Sequence, residues 1–113
     1  MDHKERMAAG LPYKPWKDGL EELRAENKRR IFRFNHLSPD QTEEIKATLR
    51  DILGTAGDGA WVEAPFHCDY GKNIHVGKNF FANYNLTVLD VGQVKIGDNV
   101  LMGPNVSIYA VGH

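Results

Sequence analysis

Hydrophobic residues recur with two different periods along this chain. In the first half Leu20, Leu23, Ile31 and Phe34 return at three-to-four-residue spacing, with polar Asn27 interrupting the stripe, while Glu21, Glu22, Lys28 and Arg29 face elsewhere. That spacing predicts an amphipathic helix. A second helix follows, with punctuation at both ends. Ser38 is a good N-cap residue, Pro39 suits the first helical position and Gln41 completes a capping box. Ile45, Leu49, Ile52 and Leu53 make its apolar side, and Gly54 its stop. The two helices are expected to form a hairpin, with its connection just ahead of Ser38.

From Trp61 onward the helical period is gone. Apolar residues fall six apart at Val76, Ala82 and Val88, then at Ile96, Met102 and Ile108. A second set sits two residues ahead of each: Ile74, Phe80, Leu86, Val94, Val100 and Val106. Residues two apart share one face of a strand. A pair repeated every six residues therefore predicts very short strands joined by tight corners, three strands closing a triangular coil of about 18 residues. The observed coil-to-coil offset is 20, from Val76 to Ile96, so one corner carries two extra residues. Asn79, Asn85, Asn99 and Asn105, with Gly77 and Gly97, supply residues that tolerate positive φ at corners. Upstream, Val62/Ala64, Cys68/Tyr70 and Ile74/Val76 continue the register in degraded form. An antiparallel β-sandwich would account for the pairs but not for the spacing of six. The expected division is a helical segment over 1–57 and stacked coils over 58–113.

Composition narrows the setting. The 113 residues carry 14 basic and 15 acidic side chains, so nothing global attracts nucleic acid or an anionic membrane. The run Lys28-Arg29-Arg30 with Arg33 reads as a solvated face, since Glu26 stands four residues before Arg30 and can pair with it. The single cysteine, Cys68, excludes an internal disulfide and suits a reducing compartment. No apolar run is long enough for a signal peptide or a membrane span, which makes a soluble cytoplasmic protein the expectation.

The hexads, each an aliphatic residue followed by Gly and then Asn, resemble the left-handed parallel β-helix of hexapeptide-repeat acyltransferases. The left hand is implied by that resemblance alone. The chain resembles one branch more closely. RAENKRRIFRFNH in the helical part, then FHCDYGKNIHVGKNFFANYN, then IGDNVLMGPNVSIY and a final GH, look like the maltose/galactoside O-acetyltransferase family. The resemblance implies transfer of acetyl from acetyl-CoA to a sugar hydroxyl, in a homotrimer with sites at subunit boundaries and with no metal. It places the family's catalytic histidine on His113 and its acceptor-contacting positions on Asp69, Asn83 and Arg24. Galactoside-type members carry a second aspartate after the one matching Asp90; this chain has Val91 there, which points to a maltose- or glucose-type acceptor. Outward side chains on flat faces, among them Tyr84, Val88 and Tyr109, suit a trimer.

The chemistry fits those residue types. A sugar hydroxyl needs a base to attack a thioester, and imidazole titrates in the right range. Asn83 can orient the acceptor or donate to a developing oxyanion, and Asp69 can accept from sugar hydroxyls. The resemblance also places the grip on acetyl-CoA in coils beyond His113, so this chain alone is expected to turn over little. Two other readings are open. One is a non-catalytic trimeric scaffold or an inactive fragment. The other is a zinc-dependent β-helix carbonic anhydrase using His67, Cys68, Asp69, His75 or His113, although no ligand pair has a diagnostic spacing.

Overall fold

The computed structural model describes residues 1–111. Three helices, α1 (His3–Ala8), α2 (Leu20–Asn35) and α3 (Thr42–Ile52), precede nine short strands. These are β1 (Thr55–Ala56), β2 (Trp61–Val62), β3 (Phe66–Cys68), β4 (Ile74–Val76), β5 (Phe81–Ala82), β6 (Leu86–Leu89), β7 (Val94–Ile96), β8 (Leu101–Met102) and β9 (Ser107–Tyr109). The strands begin at Thr55, inside the stretch assigned to the helical segment.

Strands three apart in sequence pair in parallel, giving three sheets: β1-β4-β7 is the first face, β2-β5-β8 the second and β3-β6-β9 the third. Every pairing is offset by 20 residues, as in Val76↔Ile96 and Val88↔Ile108. Three short faces stacked coil on coil rule out the antiparallel sandwich. Each strand sends one row of side chains inward, so Ile74, Val76, Phe80, Ala82, Leu86 and Val88 are all buried together with Val62 and Phe66. Fully burying a side chain of this kind contributes about 1.5–3 kcal/mol.

Several expectations need correction. Of the upstream pairs Ile74/Val76 is in register, but the other two are shifted by two residues: Val62 sits beside Ala82 and Cys68 beside Val88, so the inward pairs are Ala60/Val62 and Phe66/Cys68. The two extra residues per coil explain the slip, because they lie between the third and first faces and must be crossed when the register is traced backward. Val88 is fully buried, not outward; the exposed apolar side chains on the coils are Leu101, Tyr109 and Tyr84. Helix α3 begins at Thr42, later than Ser38 suggests. Gln41 Oε1 does accept from Ser38 N at 3.0 Å, but residues 38–41 close a turn of their own, with Gln41 N on Ser38 O at 2.9 Å.

The helices close one end of the coil stack. Helix α2 buries Leu20, Asn27 and Phe34, seven residues apart along one line, and contacts both α3 and β3. Phe34 meets Phe66 edge-to-face, with ring centroids 6.2 Å apart. Such a pair adds about 0.5–1.5 kcal/mol beyond its area. Helix α1 was not anticipated. Asp2 caps it, accepting from Glu5 N at 2.8 Å, and the Asp-x-x-Glu spacing was its sequence signal. Its buried Met7 joins Leu20 and Tyr70 in a second small apolar cluster, flanked by Tyr13 and Val91.

Candidate functional site

Two of the candidate residues meet at the corner between the third and first faces. The chain leaves β3 at Cys68 and crosses this corner through residues 69–73; one coil later it leaves β6 at Leu89 and crosses through 90–93. These crossings hold the extra residues of each coil. Helix α2 lies over the corner. From it Arg24 donates through Nη1 to Tyr70 Oη at 2.7 Å and through Nη2 to Pro15 O at 2.7 Å, with its guanidinium 5.8 Å from the Tyr70 ring centre. One arginine thus ties the α1–α2 connection, the helix and the coil together.

Asp69 stands next to that pair. Partial burial pushes its carboxyl above the usual carboxylate range, while Arg24 and Lys28 pull it back down. Its backbone is fully engaged, but its carboxylate makes no hydrogen bond or ion pair among the described residues. A half-buried carboxylate left without a partner beside an arginine and a tyrosine suits the hydroxyl groups of a polar ligand. Burial likewise raises the Tyr70 phenol, with the Arg24 hydrogen bond opposing it, and raises Tyr13 nearby, with Tyr70 adding to it.

Asn83 is placed elsewhere. It follows β5 and lies at the corner between the second and third faces, so the width of the third face separates it from Asp69 within one chain. Its Oδ1 accepts from Tyr84 N at 2.8 Å, which leaves its amide N–H groups free of partners among the described residues. His113 lies outside the described residues. The structure thus brings Arg24 and Asp69 together and leaves Asn83 at another corner.

Three residues of this corner were not singled out as functional from the sequence. Tyr70 is buried, and Asn27 and Asp90 are fully buried polar side chains. The interruption of the α2 stripe at Asn27 was the available signal. Arg30 also departs from expectation. It makes no ion pair with Glu26 among the described residues, is half-buried, and lies near enough to Cys68 to lower its thiol. Burial dominates there and pushes Cys68 up to about 12, so it is a neutral thiol and not a nucleophile.

The cavities divide along the same lines. One of about 180 Å³ adjoins Tyr70, lined by Leu20, Leu23, Arg30, Lys72 and Asn73 among others. Another, of about 400 Å³, is lined by Phe34, Ile45, Trp61 and Tyr84, with Glu63 its one carboxylate. Among the described residues no three His, Cys, Asp or Glu side chains converge as a metal site; His75 spends its ring nitrogens on Thr55 Oγ1 and Gln93 Oε1.

Residues 6–57 match the maltose acetyltransferase hexapeptide capping motif. The whole chain is 42% identical to the galactoside O-acetyltransferase of Escherichia coli (strain K12), covering 56% of that protein. The chain belongs to the maltose/galactoside O-acetyltransferase family. Among solved structures it matches a maltose O-acetyltransferase from Clostridium difficile 630 with a TM-score of 0.98 at 42% identity, over 100% of this chain and 60% of that one. It matches a galactoside acetyltransferase in complex with coenzyme A with a TM-score of 0.95, also at 42% identity, over 100% of this chain and 56% of that one. The chain therefore spans little more than half the length of these members of the maltose/galactoside O-acetyltransferase family.

Proposed function

We propose that the full-length protein moves an acetyl group from acetyl-CoA to a hydroxyl of a glucose- or maltose-type sugar. The observation that carries this reading is the assembly of Arg24, Tyr70 and Asp69 at one corner, with the Asp69 carboxylate half-buried and unengaged. Asp69 accepts from sugar hydroxyls, and Arg24, held by Tyr70 and Pro15, fixes the outer edge of the acceptor. His113 removes the proton of the attacking hydroxyl as its oxygen bonds to the thioester carbonyl. The carbon–sulfur bond then breaks, and the departing CoA thiolate takes up a proton. An amide N–H of Asn83 serves the developing oxyanion, an interaction that can be worth about 3 kcal/mol.

Asn83 and Asp69 stand at different corners, so this assignment requires two chains. In a homotrimer the second-to-third corner of one copy lies against the third-to-first corner of the next, a head-to-tail contact that closes after three copies. The exposed Tyr84, beside Asn83, supports that contact, as does the exposed Tyr109. The coils are taken as a left-handed β-helix, residues 1–57 as their cap and 58–113 as the first coils, and the protein as cytoplasmic. No helix among the described residues is long and apolar enough to cross a membrane. Val91, packed beside Tyr70 and Tyr13, puts a methyl surface where galactoside-type relatives would add a carboxylate.

The deciding experiment is an acetyl-transfer assay of the full-length protein across a sugar panel, together with its His113→Ala variant. Glucose and maltose should outcompete β-galactosides, and the variant should lose about 10²- to 10⁴-fold in kcat with little change in acetyl-CoA affinity. A variant keeping a third of the activity rejects His113 as base. A wild-type protein that acetylates no sugar rejects the reading and leaves a scaffold role in its place.

A further inference from the structure

The turn that carries Asp69 and Tyr70 is gripped from two sides by buried polar side chains. From the next coil, Asp90 is fully buried, and its Oδ1 accepts from Asp69 N at 3.0 Å and from Tyr70 N at 2.9 Å. From helix α2, Asn27 is also fully buried, and its Nδ2 donates to Cys68 O at 3.2 Å and to Asp69 O at 3.1 Å. One residue holds the donors of the turn and the other its acceptors. Both backbone polar groups of Asp69 are therefore fixed by side chains from outside its own strand.

Neither residue is explained as a source of stability. Asn27 occupies the line between Leu20 and Phe34, where an apolar residue would complete the buried face of α2. Asn27 Oδ1 and Asp90 Oδ2 are buried with no hydrogen-bond partner among the described residues, an arrangement that costs folding free energy. The fit around the turn is also close. A Cβ on Gly71, whose φ is +76°, would lie 2.8 Å from Ile52 Cγ2 and 3.0 Å from Asn27 Oδ1. Residues that weaken the core while fixing one backbone turn are placed there for what the turn presents.

We propose that Asn27 and Asp90 are positioning residues that clamp the 68–71 turn and so aim the Asp69 carboxylate and the Arg24–Tyr70 pair at the sugar acceptor. The inference rests on the acceptor reading above. Neither residue touches the acceptor; both act through the backbone that holds Asp69. The clamp joins helix α2 to two successive coils, so the cap would take part in acceptor binding while leaving the acetyl-CoA site untouched.

The test uses the full-length protein with Asp90→Ala, Asp90→Asn and Asn27→Ala. Sugar and acetyl-CoA KM values are measured alongside amide hydrogen exchange at Asp69 and Tyr70. Asp90→Ala should raise the sugar KM about tenfold or more and leave the acetyl-CoA KM within about twofold, because only acceptor placement is loosened. Asp90→Asn should recover most of the loss, since its amide oxygen can still accept both N–H groups. Asn27→Ala should reproduce the same split, and it decides the matter if Asp90→Ala does not fold. A folded Asp90→Ala or Asn27→Ala with an unchanged sugar KM, or with both KM values raised equally, overturns the proposal. If the wild type acetylates no sugar, the functional reading fails by itself and the exchange data judge the clamp. Exchange about tenfold faster at Asp69 and Tyr70 in Asp90→Ala supports it, and equal exchange overturns it.

Discussion

The corner between the third and first faces and the corner between the first and second belong to the same repeat but solve different problems. At the first-to-second corner Asn79 and Asn99 adopt φ of 56° and 59°, and Asn79 Nδ2 donates to Asn99 Oδ1 at 3.1 Å in an exposed ladder. Local backbone geometry is satisfied there, and glycines let successive coils stack closely: a Cβ on Gly77 would lie 2.7 Å from Gly97 C. At the third-to-first corner the chain has two more residues per coil, and it uses them to bury Asp90, Tyr70 and Gly71 beneath helix α2. The short corner closes the coil. The long corner assembles a candidate site, at a cost in unsatisfied buried groups that the short corner avoids.

The contrast is tested most severely by paired glycine substitutions. Gly71→Ala at the long corner places a Cβ against Ile52 in a left-handed backbone conformation and should cost about 2–5 kcal/mol. Gly97→Ala at the short corner of the last described coil meets nothing within 4 Å in this 113-residue chain and should stay within about 0.5 kcal/mol; a Cβ on Gly77, one coil earlier, would lie 2.7 Å from Gly97 C. Denaturant unfolding of both variants measures the gap, and equal losses would erase the distinction between the corners.

A smaller effect isolates corner geometry itself. Asn85, at φ 64°, should lose about 1–2 kcal/mol on replacement by Ala and almost none on replacement by Gly. If Gly proved as damaging as Ala, the side chain and not the backbone angle would be what the minimal corner needs.

Smaller again is a pH effect confined to the long corner. Burial holds the Asp90 carboxyl above the usual range, against the pull of the backbone N–H groups of Tyr70, Gly71 and Asp69. A carboxyl raised on folding contributes stability below its unfolded value, near pH 4, and loses that contribution as pH rises through the folded value. The stability of the wild type relative to Asp90→Asn should therefore fall as pH is raised from about 4. Parallel stability profiles for the two proteins would remove Asp90 from the account. Last, and without any effect on stability, Cys68 beneath the same corner should react with iodoacetamide at pH 8 about a thousandfold more slowly than an exposed thiol, given its rise to about 12. Fast labelling of the native protein would mean that the corner opens.

Much of this contrast was legible in the residues. Side chains six apart, each with a partner two residues earlier, define short strands stacked in coils, and the asparagines after Gly77 and Gly97 mark the minimal corners. Helix α1 could have been read from Asp2 and Glu5 and was not. The upstream register was misplaced because Phe66, a core residue, stands where a trace that missed the two extra residues puts a corner. Arg24 and Asp69 were legible as candidates through family resemblance, but their neighbours were not. Asn27 read as a flaw in a helix stripe, because period-based reading scores a polar residue on an apolar face as a defect.

By itself, then, the sequence determined the period, the offset of 20 and the residues that turn the corners, because each follows from steric rules acting over a few neighbouring positions. Only the tertiary structure decided that the corner with the extra residues lies beneath α2. The same folding set the polar line of Asn27 against Cys68 and Asp69, and left Asn83 one face away from them. The Asn27 contacts join residues 41 and 42 positions apart. They arise from how a helix lies over a coil stack, and no local pattern encodes that.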